Sequence, residues 1–247
     1  MQVVDIGNTG ISSSRLGFGT GTHGWNNNSD QTRIGHQKLV NLMKFAYDKG
    51  ITLWDLADGY GSHPHFGDAL KDIDRSSVTI ITKTHSKSAE TVKEEIPRFL
   101  KELGTDYIDI LLMHCITNKN WLTDYADVIE VFQQAKEKGQ VKAIGMSCHD
   151  YESLKTVASA EWVDAVLARI NYNGENMDDD PDKIVPVLEG IKEAGKGVIG
   201  MKVYGQGKLA DHAPKCMDYI LGLSCVDVFV IGMVSEEQVL QNISLMS

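Results

Sequence analysis

Cys115, Cys148, Cys216 and Cys225 are the only cysteines in 247 residues, and no two form a C-x-x-C pair. The pattern argues against a disulfide or zinc framework and predicts reduced, mostly buried thiols in a cytoplasmic protein. Basic residues are scarce as well: 24 Lys and Arg against 34 Asp and Glu give a net charge of -10. Binding a phosphate backbone needs a basic stripe, so no nucleic-acid partner is expected. An anionic cofactor stays open, because it needs only a local positive pocket or a helix N-terminus. No apolar run approaches the roughly 20 residues that cross a bilayer. The opening MQVVDIGNTG lacks the basic and apolar regions of a signal peptide. No Pro/Ser-rich linker, charge block or close repeat divides the chain, so one domain over residues 1–247 is the expectation.

What the chain does contain is a rhythm of strand then helix about every thirty residues, as βαβ units require. Gln37–Lys49 places Leu39, Met43, Ala46 and Tyr47 on one helical face, with Gly50 ready to end it. Tyr125–Lys138 repeats the pattern before Gly139, and Ile184, Val187, Leu188 and Ile191 do so before Gly195. Asp150 reads as a cap for a helix carrying Leu154, Val157 and Ala158, and Ser235–Gln238 as a capping box. Between them lie short β-branched or apolar runs: Ile51–Asp55, Val78–Lys83, Ile108–His114, Val141–Ser147, Ala165–Asn171, Gly197–Val203 and Val226–Ile231. Buried parallel strands look like this because both faces are covered. Val3–Ile6 and Ile11–Ser14 flank the turn Asn8-Thr9-Gly10, which predicts a short N-terminal hairpin before a first barrel strand, Arg15–Gly19. About eight strands with helices between them predict an α/β (β/α)8 TIM barrel, whose typical length of about 250 residues this chain matches. An open doubly wound sheet is the alternative, but Gly17, Gly19 and Gly21 are followed by a loop, His23–Asp30, and not by a helix.

Closing the barrel gathers strand ends on one face, and four chemically active residues fall there: Asp55, Tyr60, Lys83 and His114. Each alone has an ordinary explanation, as an ion pair, a turn aromatic or a structural histidine. Together they are an acid with the means to tune it. A phenol has a pKa near 10 and exchanges protons poorly at neutral pH unless its anion is stabilised. An ammonium about 4 Å away is worth on the order of 4 kcal/mol at an effective dielectric near 20, enough to lower it by about three units.

These segments resemble the aldo-keto reductase family. Ile6–Gly10 with Arg15–Thr20 is similar to its opening hairpin and first strand, and Asp55-Leu56-Ala57-Asp58-Gly59-Tyr60-Gly61 to its D-T-A-x-x-Y-G stretch. Ile80–Lys83, Tyr107–His114 and Ala143–Ser147 resemble the strands that follow, so the likeness covers nearly the whole chain. The resemblance implies an NAD(P)H-dependent reduction of an aldehyde or ketone to an alcohol. Tyr60 is then the general acid, Lys83 lowers its pKa, Asp55 aims Lys83, and His114 orients the carbonyl oxygen. No metal is needed, since these donors meet the developing oxyanion themselves. The alternative it implies is a non-catalytic nucleotide-binding regulatory subunit of the same fold.

For the cofactor, the resemblance points to Thr20, Asp55, Ser147, Arg169, Lys202, Gly205, Gly207, Gln238 and Asn242. Ser147 and Arg169 stand where the nicotinamide amide is held, although Cys148 and Arg169 replace the usual Asn and Gln. Glycines in Lys202–Gly207 let backbone N–H groups approach a pyrophosphate, and Asn242 stands where adenine is met. Gly232, Met233 and Gln238 occupy positions where Lys, Ser and Arg favour NADP, so weakened NADP preference or tolerance of NAD is expected. Trp25, Trp54 and Phe66 are expected to line the substrate pocket, with Trp25, in the loop His23–Asp30, equally readable as a surface anchor for another subunit. The chain stops a few residues after Asn242, where such proteins continue through another helix and a pocket-walling segment. The expectation is a shortened C-terminal part and a pocket open on one side. His63-Pro64-His65 suggests a metallohydrolase, but the proline makes it a loop bordering the pocket or solvent.

Overall fold

The computed structural model describes residues 1–246. Its strands are β1 (Val3–Asp5), β2 (Ser12–Ser14), β3 (Leu16–Gly19), β4 (Leu53–Asp55), β5 (Thr79–Thr84), β6 (Ile108–Ile116), β7 (Val141–Cys148), β8 (Ala165–Arg169), β9 (Gly197–Met201) and β10 (Val228–Gly232). Its α-helices are α1 (Asp30–Arg33), α2 (His36–Asp48), α3 (His63–Leu70), α4 (Ala89–Leu103), α5 (Trp121–Asp124), α6 (Ala126–Glu137), α7 (Tyr151–Lys155), α8 (Pro181–Glu193), α9 (Ala213–Gly222) and α10 (Glu236–Ser244). Strands β3 to β10 close into a barrel in which β10 returns to pair with β3. All of its pairings are parallel. This is the expected (β/α)8 barrel.

Alternation along the strands sorts residues into two cores. Leu53, Ile81, Ile110, Leu112, Leu167, Ile199 and Val228 point inward and fill the barrel. Trp54, Ile80, Leu111, Ile144, Val166 and Val198 point outward and pack beneath the helices. The hairpin β1–β2, paired Val3 to Ser14 and Asp5 to Ser12, brings Ile6 and Ile11 into the interior cluster. It therefore plugs one end of the barrel and leaves chemistry to the other.

Helix α4 shows why these segments are helical. Val92, Ile96, Phe99 and Leu103 are buried at spacings of one helical face, Ser88 accepts a bond from the Thr91 N–H, and Gly104 ends the helix at φ +65. Each such side chain taken fully out of water stabilises by about 1.5–3 kcal/mol. Two expectations are corrected. His63-Pro64-His65 is the first turn of α3, because a proline is tolerated there, where its missing N–H has no helical partner. At α10, Ser235 accepts from the Gln238 N–H as expected, but the Gln238 carboxamide reaches back to the Val234 N–H, not to that of Ser235.

Candidate active site

Asp55 closes β4, Lys83 lies one residue from the end of β5, and His114 sits late in β6. Each is two residues beyond an inward-facing Leu53, Ile81 or Leu112, so the strand period of two points all three into the barrel mouth. Lys83 is fully buried; its ammonium donates to Asp55 Oδ1 at 2.5 Å and to the Leu56 carbonyl at 2.7 Å. Burial raises Asp55 and lowers Lys83, and in each case the partner's charge opposes the shift.

Tyr60 stands on a single 3₁₀ turn, Asp58–Tyr60, between β4 and α3. Its hydroxyl is 3.2 Å from His114 Nε2, and the Lys83 ammonium lies 5.1 Å from its ring centroid. A Cβ on Gly21 would come within 2.3 Å of that ring, and one on Gly24 within 2.4 Å. The glycines after β3 therefore make room for Tyr60 and not for a phosphate loop. The expected acidification by Lys83 is not met. Burial, then the Asp55 charge, holds the Tyr60 phenol well above its usual value. The Lys83 charge is engaged by Asp55 and faces the ring, so Tyr60 keeps its proton across the neutral range. His114 is pushed well below its ordinary value by burial and by the Lys83 charge, so its imidazole is neutral.

A β-bulge between Met113 and Ile116, with Cys115 at φ +55, re-aims the end of β6. Donor atoms of His85, His114 and Cys115 then lie within 4.8 Å of one another. The charges of Lys83, Lys87, Arg169 and Lys202 all act on Cys115. That field favours an anion over another cation. Asp58, His63 and Glu102 also cluster, but Arg98 already bridges Asp58 at 2.7 Å and Glu102 at 3.0 Å.

From Asp55 and Tyr60 a cavity of about 310 Å³ runs past Gly19, Gly21 and Thr22, between the loop after β9 and the start of α10. Of the predicted cofactor residues, Asp55, Lys202, Gly207, Gln238 and Asn242 line it. Lys202 is its one lysine or arginine among the described residues. Thr20, Ser147, Arg169 and Gly205 do not line it. Thr20 is fully buried and donates to the Asp55 carbonyl, tying β3 to β4. Gly205 packs against Glu175, and its carbonyl accepts from Asn176. Arg169 lies 3.5 Å from Asp178 Oδ1, the salt bridge a strand-end arginine ordinarily makes. Asn242 has its carboxamide bonded to Tyr204 and the Gln238 carbonyl. Thr22, Gln31, Tyr204 and Gln241 on the wall were not singled out from the sequence; Gly21 marked that segment without naming its neighbours.

Trp54 and Phe66 do not line a pocket. Both are fully buried outside the barrel, edge to face at 4.8 Å, and Trp54 Nε1 donates to the Ile51 carbonyl. Trp54 directly precedes inward-facing Asp55, so alternation turns it outward. Trp25 is 63% exposed, edge-on to His85 at 5.3 Å, which makes it a rim residue. His63 borders neither pocket nor solvent: it is buried against Thr82 and Glu102 on the outer side of β5.

Residues 15–215 match the family described as Aldo/keto reductase family, and the chain belongs to it. Among curated relatives, it is 27% identical over 207 residues to an NADH-specific methylglyoxal reductase from Escherichia coli, covering 73% of this chain and 62% of that protein. It is 33% identical over 177 residues to an aldo-keto reductase from Bacillus subtilis, covering 63% of this chain and 50% of that one. The chain thus spans about half to three fifths of the length of these relatives. A solved putative aldo-keto reductase from Pseudomonas aeruginosa has the same fold, with a TM-score of 0.82 at 22% identity, covering 99% of this chain and 93% of that one.

The residues fit a nicotinamide dinucleotide. Ser147 Oγ, His114 Nδ1 and Arg169 Nε are buried without a hydrogen-bond partner. Buried polar atoms of this kind call for an outside partner. The cavity runs from the Tyr60 phenol to the N-terminus of α10.

Proposed function

We propose that the protein reduces an aldehyde or ketone to an alcohol with a reduced nicotinamide cofactor. The observation that supports this best is the Tyr60 hydroxyl, 3.2 Å from His114 Nε2 and beside the buried Asp55–Lys83 pair, at one end of the cavity of about 310 Å³. When bound, the cofactor supplies a hydride to the carbonyl carbon. Lys202, Gly207, Gln238 and Asn242 would hold its length, and Ser147 and Arg169 would offer their unpaired buried atoms to the amide.

Tyr60 gives its proton to the carbonyl oxygen as negative charge develops there. An elevated phenol pKa does not block this step, because an alkoxide is far more basic than a phenolate. The proton is in place beforehand, and the phenolate left behind faces the Lys83 ammonium. Neutral His114 holds the carbonyl oxygen through Nε2. Whatever stabilisation Lys83 gives that phenolate also lowers the phenol's pKa, and burial with the Asp55 charge outweighs it in the resting site.

We read the cofactor as NADH in preference to NADPH. Gly232 offers no side chain to a phosphate, and Met233 is fully buried. Gln238 carries no charge, and Asp30 adds an acidic group to the cavity wall, so a 2′-phosphate lacks its usual cation. A panel of aldehydes assayed by loss of NADH absorbance tests the activity. Tyr60→Phe should bind NADH normally and lose turnover. Wild-type binding without turnover would refute the reading in favour of a regulatory subunit. NADPH binding a hundredfold tighter than NADH would refute the cofactor assignment.

A further inference from the structure

Lys87, just beyond β5, is an unusual lysine for so acidic a chain. Other lysines, such as Lys44, Lys71, Lys136, Lys142, Lys183 and Lys208, hold a carboxylate at the surface. Lys87 is half-buried, and no carboxylate among the described residues pairs with it. Its ammonium donates to the His114 carbonyl at 3.0 Å and rests 5.2 Å from the Tyr125 ring centroid. Burial lowers it only to about 8, so it stays largely charged at neutral pH. Burying an ammonium without a counter-charge destabilises a fold, so such a group points to an anion supplied from outside.

Its place says which anion. Tyr60 meets the ring of His114 at Nε2, and Lys87 meets the backbone of the same residue. His85 stacks on that ring with centroids 3.9 Å apart, and burial keeps it neutral and able to donate an N–H. The nearby acids are already engaged, Asp55 by Lys83, Asp58 by Arg98 and Asp178 by Arg169. Lys202 is also without an ion-pair partner, but it lies on the wall of the dinucleotide cavity, whereas Lys87 does not. Lys202 thus serves the cofactor's side of the site, and Lys87 stands against His114 away from that cavity.

We propose that the carbonyl substrate is a short oxo acid, with its carbonyl oxygen at Tyr60 and His114 and its carboxylate at Lys87, assisted by His85. Lys87 and Tyr60 both contact His114, one at its backbone and one at its ring, so a short chain of carbons between carbonyl and carboxylate suits them. The proposal rests on the carbonyl-reductase reading for turnover, but the anion site can be measured without it.

The test compares succinic semialdehyde with butanal, which match in length and differ in the carboxylate, on wild type, Lys87→Gln and Lys87→Arg. Wild type should favour the acid in kcat/KM by about tenfold or more, the usual worth of a charge-assisted hydrogen bond. Lys87→Gln should remove that preference through KM, costing succinic semialdehyde about tenfold more in kcat/KM than butanal, and Lys87→Arg should retain most of it. Butyrate binding to the NADH-bound protein, followed by calorimetry, should be present in wild type and weakened about tenfold or more in Lys87→Gln. Equal use of acid and neutral aldehyde by wild type, equal loss of both in Lys87→Gln, or no Lys87-dependent butyrate binding would overturn the proposal. Lys87-dependent butyrate binding without turnover of any aldehyde would keep the anion site and refute the reductase reading.

Discussion

Gly21→Ala should abolish the proposed turnover without replacing Asp55, Tyr60, Lys83 or His114. The added Cβ would sit 2.3 Å from Tyr60 Cε2 and Cζ and 2.8 Å from its hydroxyl, whereas ordinary contacts begin at 3.4 Å. The ring must therefore retreat by about 1 Å. Lys83 lies over one face of the ring and the Gly24 backbone crowds its Cδ1 edge, so the displacement carries the hydroxyl out of line with His114 Nε2. A misplacement of about 1 Å costs on the order of a hundredfold in rate. The assay is kcat at saturating NADH with a reducible aldehyde, and NADH affinity is measured separately because Gly21 also lines the cavity. Gly190→Ala is the control. Its Cβ meets nothing within 4 Å in the middle of α8, so activity should be unchanged and stability raised by up to about 1 kcal/mol. A folded Gly21→Ala variant within about threefold of wild-type kcat, a difference below about 1 kcal/mol in barrier, would show that Tyr60 is not held by this contact or is not the acid.

Phe66→Ala should cost about 3–5 kcal/mol in denaturant unfolding, as a cavity against Trp54 does, with KM for the carbonyl substrate unchanged. A changed KM at near-native stability would restore Phe66 to the pocket. Asp178 tests the electrostatics on the far side of the site. Burial raises its carboxyl from 3.8 to about 6, so the folded state holds a proton that the unfolded chain releases. Its stabilising contribution is present below about pH 4 and is lost as pH rises through 6, on the order of 3 kcal/mol in all. Asp178→Asn should flatten stability across that window. An unchanged pH profile would mean that Arg169 keeps Asp178 ionised throughout.

Much of this protein could be read from the chain itself. About eight short apolar strand runs with amphipathic stretches between them point to an α/β fold, and the loop that follows Gly21, where an open sheet would place a helix, favours the closed barrel. The order Asp55, Tyr60, Lys83, His114 at strand ends was legible from the same strand runs. Other features were not. Which way Trp54 points depends on strand phase, and a run of apolar residues conceals phase because both faces are buried. His63-Pro64-His65 resembled a loop because proline also starts helices.

The primary sequence determined the architecture and the inventory of reactive groups, since periodicity and residue chemistry are local properties. Tertiary structure alone decided their states. It pairs Lys83 with Asp55, keeps Tyr60 protonated through burial, and leaves Lys87 without a carboxylate among the described residues. Those outcomes depend on distance and dielectric between residues far apart in the chain, and neither quantity is written in the order of amino acids.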